Sequence, residues 1–467
     1  MPAKQNWREF DRATTPCLVR NSARRTAIRH PDDAFQDLNA RQLVGEFLDA
    51  MWAANGWGDE QAKQIDRVIG GFTVPDAWAR NNTRSGVMLS NVKPLVGAYA
   101  SSVVAVCPGG LQSIADAASA LISGATLGAP DQLGAILALG YESRTGGAGF
   151  WPPEVMKRWR AAMFGRDWTA LKEIAEEYFA GVPNPKKPER EFGQPYSPGM
   201  NEVDQQYPQA QTAQRRGELY GFTRAQVDAR TLLHAGRCDT DLARSIFEAM
   251  IVEVAGATID QGLQRELTQE AIEEAKPFVK VADGCEGLVT GRNCTNDGDA
   301  AAGIVVCLPD RIDDFEQGTT VRHYVRGYAT WANQGGMEDT LMGPAATTLK
   351  THAAFDIDPV ADVAGNHVHI PFEVMSEAYD SACRDGFSGM NGGVDFDSDH
   401  ENPLGTATRM KHPFAMTGIR QAGEAMHYAE HRLAQAGAPD ALLSHVVMCG
   451  ATGVGAGLTI VSEKTAG

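Results

Sequence analysis

Apolar positions along this chain follow two different periods. Leu43, Phe47, Leu48 and Met51 recur at helical spacing, and so do Ile114, Ala117, Ala118 and Leu121. Between them stand short unbroken apolar runs, from Val68 to Val74, Val103 to Val106 and Gly134 to Gly140. Runs of this length bounded by turn residues predict strands buried on both faces. The alternation resumes after Gly287, with strands predicted at Ala300 to Cys307, Val368 to Phe372 and Leu443 to Cys449, and a helix from Ile419 to Leu433. Strands alternating with helices predict an α/β fold with layered sheets.

Residues 146 to about 282 carry a different pattern. Charged helices are predicted around Trp168 to Tyr178 and Arg224 to Ala235, with a Pro-rich stretch from Gly181 to Pro208 between them. The chain therefore divides into residues 1–145, an inserted segment 146–282, and residues 283–467. Cys107 and Cys449 each end an apolar run and precede a glycine-containing turn, which reads as a trace of internal duplication.

Three stretches concentrate reactive groups. In the first, Val106-Cys107-Pro108-Gly109-Gly110-Leu111-Gln112-Ser113-Ile114, a cysteine stands where a strand turns sharply into a helix. A helix N-terminus offers unpaired N–H groups and partial positive charge, which favour a thiolate and a neighbouring oxyanion. The competing reading is a buried cysteine that only closes a strand. In the second, Lys411-His412-Pro413, a histidine precedes a helical run, and histidine is the base available at neutral pH. In the third, Cys449-Gly450-Ala451-Thr452-Gly453, glycines let backbone N–H groups approach a ligand.

Composition narrows the function classes. A net charge of −17 over 467 residues disfavours nucleic acid as the main partner. No apolar run nears the ~20 residues of a membrane-spanning helix, and the first residues lack a secretory apolar core. Eight scattered cysteines point to a reducing cytoplasm rather than a disulfide framework.

Taken together, the motifs resemble the thiolase family along nearly the whole chain. Arg25-Thr26-Ala27 is similar to an early Arg-Thr-Pro, and the Cys107 segment is similar to Cys-x-Ser-Gly-x-x-Ala. Gly140-Tyr141-Glu142-Ser143 resembles Gly-x-Glu-Ser, and Tyr220-Gly221-Phe222-Thr223-Arg224 resembles Tyr-Gly-Ile-Ser-Arg. Gly287 to Asn293, with the later Asp297-Gly298, is similar to Gly-Thr-Val-Thr-Ala-Gly-Asn and its Asn-Asp-Gly. Asn402-Pro403-Leu404-Gly405, His412-Pro413, Thr417-Gly418 and Cys449 fall at family spacing.

The resemblance implies a five-layer αβαβα sandwich of two duplicated halves with an inserted loop domain facing coenzyme A. It implies that Cys107 carries an acyl group, His412 activates that thiol and helps hold the thioester oxygen, and Cys449 moves the proton at the α-carbon. The backbone N–H groups of Cys107 and Ala451 would form an oxyanion hole. Acyl-CoA and CoA enter as substrates, no cofactor or metal is retained, and a homodimer or dimer of dimers is expected.

Departures mark a divergent member, nearest the trifunctional-enzyme type. The Asn-Glu-Ala-Phe (or His-Glu-Ala-Phe) tetrapeptide reads Ser376-Glu377-Ala378-Tyr379, Gly-His-Pro reads Lys411-His412-Pro413, and Cys-x-Gly-Gly-Gly reads Cys449-Gly450-Ala451-Thr452-Gly453. By this alignment Ser376 takes the place that orients a catalytic water or oxyanion. His367-x-His369 reads as strand alternation rather than a metal pair, and Asp395-x-Asp397-x-Asp399 as a solvated acidic loop rather than a calcium site. Lys186-Lys187 and Arg215-Arg216 are candidates for CoA phosphates, against the reading that they are simply solvated. The expected function is thiolytic cleavage or Claisen condensation of 3-ketoacyl-CoA. Alternatives are an acyltransferase with another acceptor or a partner subunit, and a non-catalytic acyl-CoA-binding subunit.

Overall fold

A computed structural model describes residues 3–30, 33–73, 81–123, 134–143, 207–264, 266–450 and 453–465, with short pieces between 158 and 202. Of the helix expected from Trp168 to Tyr178 only Thr169, Ala170, Glu173 and Ile174 are described, and they are helical; most of the Pro-rich stretch, Lys186 and Ala451 lie outside the described residues, as does the side chain of Lys187.

The longer elements, in chain order, begin with helix α1 (Ala40–Asn55), strand β1 (Ile65–Phe72), helix α2 (Asn82–Leu89), strand β2 (Tyr99–Val104), helix α3 (Gly109–Ser123) and strand β3 (Ala135–Glu142). The insert contributes α4 (Gln209–Tyr220), α5 (Arg224–Cys238) and α6 (Asp241–Met250). There follow β4 (Ala300–Cys307), β5 (Val321–Ala332), α7 (Gly343–Ala354), β6 (Val363–Val368), α8 (Val374–Asp385), α9 (Met416–Leu433), β7 (Ala441–Gly450) and β8 (Val454–Lys464).

Local sequence explains the element ends. Asn39 and Gln42 form a reciprocal capping box that starts α1, and Gly56 ends it in the left-handed conformation. Every residue of β3, β4 and β7 is buried, as their continuous apolar runs require.

Topology repeats across the two halves. In the first, β1 runs parallel to both β2 and β3, and β3 pairs antiparallel with β4 over eight residues. In the second, β6 runs parallel to β7, β7 pairs antiparallel with β8, and β8 pairs antiparallel with β5. The short strand Cys17–Leu18 joins the halves by pairing with both β4 and β5. Helices α3 and α9 pack on each other and touch both half-sheets. Helices α1 and α2 cover the outer side of the first half-sheet, α7 covers the second, and α8 packs on α7. The layers therefore run helix, sheet, helix, sheet, helix.

The strand β4, which lies beyond the insert, completes the first half-sheet by pairing with β3. Two expectations change. The duplication pairs different positions: β7, which ends near Cys449, is the counterpart of β3, and the Cys107 helix α3 is the counterpart of α9, which follows His412. The strand predicted from Val368 to Phe372 is Val363–Val368 instead, because Pro371 has no N–H for a ladder.

Candidate active site

The two central helices meet at their N-terminal ends, and glycine permits it. The Gly110 N–H donates to the carbonyl of Ala415 at 3.1 Å, and a Cβ on Gly110 would lie 2.2 Å from that oxygen. A Cβ on Gly418 would lie 2.8 Å from the Leu111 nitrogen. Only at such closeness do the residues just before each helix, Cys107 and His412, reach one space.

The backbone into this space is strained. Val106 holds φ at 54°, a conformation rare for a β-branched residue, and swings the chain from β2 into the Cys107 turn. Lys411 and Phe414, on either side of His412-Pro413, also have positive φ, 79° and 35°. The His412 N–H is held by the Asn296 carbonyl at 2.9 Å, and Asp297 bridges to His412. Upstream, Asn293 fixes that loop by donating to the Leu288 carbonyl and accepting from the Thr290 N–H. The Gly287-to-Asn293 stretch and the later Asp297-Gly298 thus support the histidine.

Cys107, His412 and Cys449 are all buried. The His412 Nδ1 lies 2.8 Å from the Thr417 hydroxyl, which leaves Nε2 for the site. A Cβ on Gly450 would lie 2.8 Å from the Pro108 ring, so the end of β7, with Cys449, abuts the Cys107 turn.

A fourth residue enters. His369 stands one residue past β6, with its N–H bonded to the Val447 carbonyl at 2.8 Å. Its ring lies 4.1 Å from that of His412, centroid to centroid, tilted 35°. One atom each of Cys107, His369 and His412 lies within 4.8 Å of the other two. Burial, with Arg420 adding a smaller repulsion, lowers the His369 pKa to about 3, so its ring is neutral at physiological pH. A neutral imidazole can donate one hydrogen bond and accept another without bringing charge. The alternation of His367 and His369 is real, and it is what aims both rings at the central helix layer.

Ser376 is engaged by a carboxylate. It lies on α8, where its hydroxyl donates to Glu401 at 3.0 Å. Glu401 in turn pairs with Arg230, which also holds Glu377 and Asp380. This is a tie between the insert helix α5 and α8. The tetrapeptide spacing has a second fit seven residues earlier, His369-Ile370-Pro371-Phe372, and that one reaches Cys107. The Glu-Ala match at 377–378 hid it.

The remaining candidates are accounted for by local contacts. Arg25 is fully buried in a bidentate pair with Asp260 at 2.7 and 2.8 Å. Arg215 pairs with Glu218, and Arg216 pairs with Asp339 over the Tyr220 ring. Asp399 is exposed, and Asp397 caps the short turn that contains it. Among the described residues no helix is long and apolar enough to cross a membrane, and all eight cysteines are free.

Comparison with known proteins points to one family. The chain is 23% identical over 462 residues to the 3-ketoacyl-CoA thiolase of Escherichia coli, covering 95% of this chain and 96% of that protein. It is 28% identical over 274 residues to the β-ketoadipyl-CoA thiolase of Pseudomonas aeruginosa, but that match spans only 55% of this chain and 59% of the relative. Among solved structures, the Ascaris suum Acat5 thiolase in complex with coenzyme A superposes with a TM-score of 0.71 at 18% identity, over 97% of this chain and all of that one. That likeness concerns the fold. Residues 19–310, more than half of the sequence, match the family model for the thiolase N-terminal domain, and the chain belongs to the thiolase family.

Proposed function

We propose that this protein is an acyltransferase that cleaves or forms 3-ketoacyl-CoA through an acyl group carried on Cys107. The observation that carries the reading is the convergence of Cys107, His369 and His412 where the two central helices begin, with Cys449 on the adjoining strand end. Making a carbon nucleophile beside a thioester needs a thiolate, a base at the α-carbon and stabilised oxyanion charge. His412 takes the Cys107 proton through Nε2. The helix N-terminus at Gly109 and the neutral ring of His369 offer donors to the developing oxyanion. Cys449 moves the α-carbon proton, and CoA enters as the second substrate.

The same reading includes a homodimer. Strand β2 has a partner on one side only among the described residues, and Tyr99 and Val104 on it are exposed. An edge of this kind pairs readily with a second copy of itself. Eight free thiols fit a reducing compartment such as the cytoplasm.

Incubation with a panel of acyl-CoAs, followed by intact-mass analysis, tests the assignment. One acyl mass should appear on the Cys107 peptide and vanish in Cys107→Ala. An adduct on another cysteine, or hydrolysis with no adduct, would overturn it.

A further inference from the structure

Cys107, His369 and His412 form a donor set that the acyl-transfer reading does not exhaust. One sulfur and two ring nitrogens, all from buried residues, lie within 4.8 Å of one another, the one such cluster among the described residues. Tetrahedral zinc with sulfur at ~2.3 Å and nitrogen at ~2.0–2.1 Å needs donors about 3.3–3.6 Å apart. An inward shift of about 1 Å at most closes that gap, which rotation about side-chain bonds supplies. Thiolate with two imidazoles is a borderline-soft set, which selects zinc-class ions over magnesium or calcium.

One feature favours a bound ion. Thr417 engages Nδ1 of His412, the outer-shell arrangement that fixes a ligating imidazole. Cys449 is not part of the cluster, which supplies three donors.

We propose that this pocket binds one zinc-class divalent ion, which occupies the nucleophile and excludes acyl transfer while it is there. The Cys107 S–H loses its proton to solvent as the sulfur–metal bond forms, and no electrons change hands. Ion binding rests on geometry and would stand if the acyl-transfer reading failed, because it is measured without turnover; the exclusion of acyl transfer rests on that reading.

The test uses metal-free full-length protein carrying Cys285→Ser, which removes the exposed thiol. Zinc affinity is measured by competition with a chromogenic chelator, and cobalt is added separately as a spectroscopic probe. We expect one equivalent of zinc, and a thiolate-to-cobalt charge-transfer band that disappears in Cys107→Ala. His369→Gln and His369→Ala should each weaken zinc by more than the about 10–100-fold that loss of an outer-shell partner costs. Zinc should also slow alkylation of Cys107. Thermal melting confirms that each variant is folded, and the two His369 variants guard against one failing to fold. A cobalt band that survives in Cys107→Ala, unchanged zinc affinity in both His369 variants, or no binding at tenfold excess overturns the proposal.

Discussion

His412 Nδ1 and the Thr417 hydroxyl lie 2.8 Å apart, joined across the first turn of the helix that follows the histidine. For His412 to accept a proton at Nε2, Nδ1 must carry the hydrogen, and Thr417 supplies its acceptor. Thr417→Val keeps the shape and removes that acceptor. The acylation rate should fall by about 10–100-fold, with KM for acyl-CoA little changed. Thr417→Ser should restore most of it. Native acylation in Thr417→Val would mean that the tautomer is set by something else.

Close approach of the two central helices is the second testable feature. In Gly110→Ala the new Cβ would sit 2.2 Å from the Ala415 carbonyl oxygen, a rigid backbone atom. The helices must part, at an overpacking cost of about 1–3 kcal/mol. Thermal melting should drop accordingly, and Cys107 acylation should fall with it, because the two N-termini no longer meet. Gly236→Ala, on α5 with open space around it, serves as the control: it should leave acylation unchanged and should not lower the melting temperature.

Much of this was legible in the sequence, and the losses have physical causes. The strand Ala300–Cys307 and the helices around Leu43–Met51, Ile114–Leu121 and Ile419–Leu433 follow from periodicity, which is a local property. Sheet membership is not local. That β4 pairs with β3, across an insert of more than a hundred residues, is decided by where the chain returns. His369 reads as a strand residue because its neighbours Val368 and Ile370 satisfy the alternation rule for a buried strand. The rule says which face a ring occupies and nothing about what waits at the strand's end. Cys107 and His412 were visible because the turn residues beside them, Pro108-Gly109-Gly110 and Pro413, advertise helix starts.

Acid should destabilise the fold in a defined window. Burial lowers the pKa of His367 and His369 to about 3, with Arg420 adding to it, and those of His352 and His427 to about 4. The unfolded chain binds these protons near 6.5 while the folded one does not. Their contribution is therefore whole above about pH 6.5 and is lost as pH falls toward 4–3. Each group withdraws at most about 1.4 kcal/mol per pH unit in that range. Melting temperature should fall between pH 7 and pH 5, and hydrogen-exchange protection in β6, taken relative to the intrinsic rate at each pH, should decrease over the same range. A flat melting profile over that interval would show that these rings take up protons in the folded state.

The roles of Ser376 and His369 separate most sharply. The Ser376 hydroxyl serves Glu401, whose carboxylate holds Arg230, so its work is to join α5 to α8. Ser376→Ala removes one buried hydrogen bond, worth about 1 kcal/mol of stability. It should leave acylation and carbon–carbon chemistry within twofold of the native protein. His369→Ala removes a neutral ring 4.1 Å from His412 and opens space beside the thiol. Loss of one donor to an oxyanion typically costs about 10²–10³-fold in turnover, and that range is expected here. His369→Asn keeps a donor and an acceptor at the same place, and the family's own tetrapeptide begins with Asn or His, so it should recover part of the loss. The comparison must be made at equal folded fraction, read by near-ultraviolet circular dichroism, since both residues are buried. If Ser376→Ala loses turnover as completely as His369→Ala while folded, then α8 reaches the reacting atoms by a route the geometry does not show. The alignment that put Ser376 in the site would then be the better one.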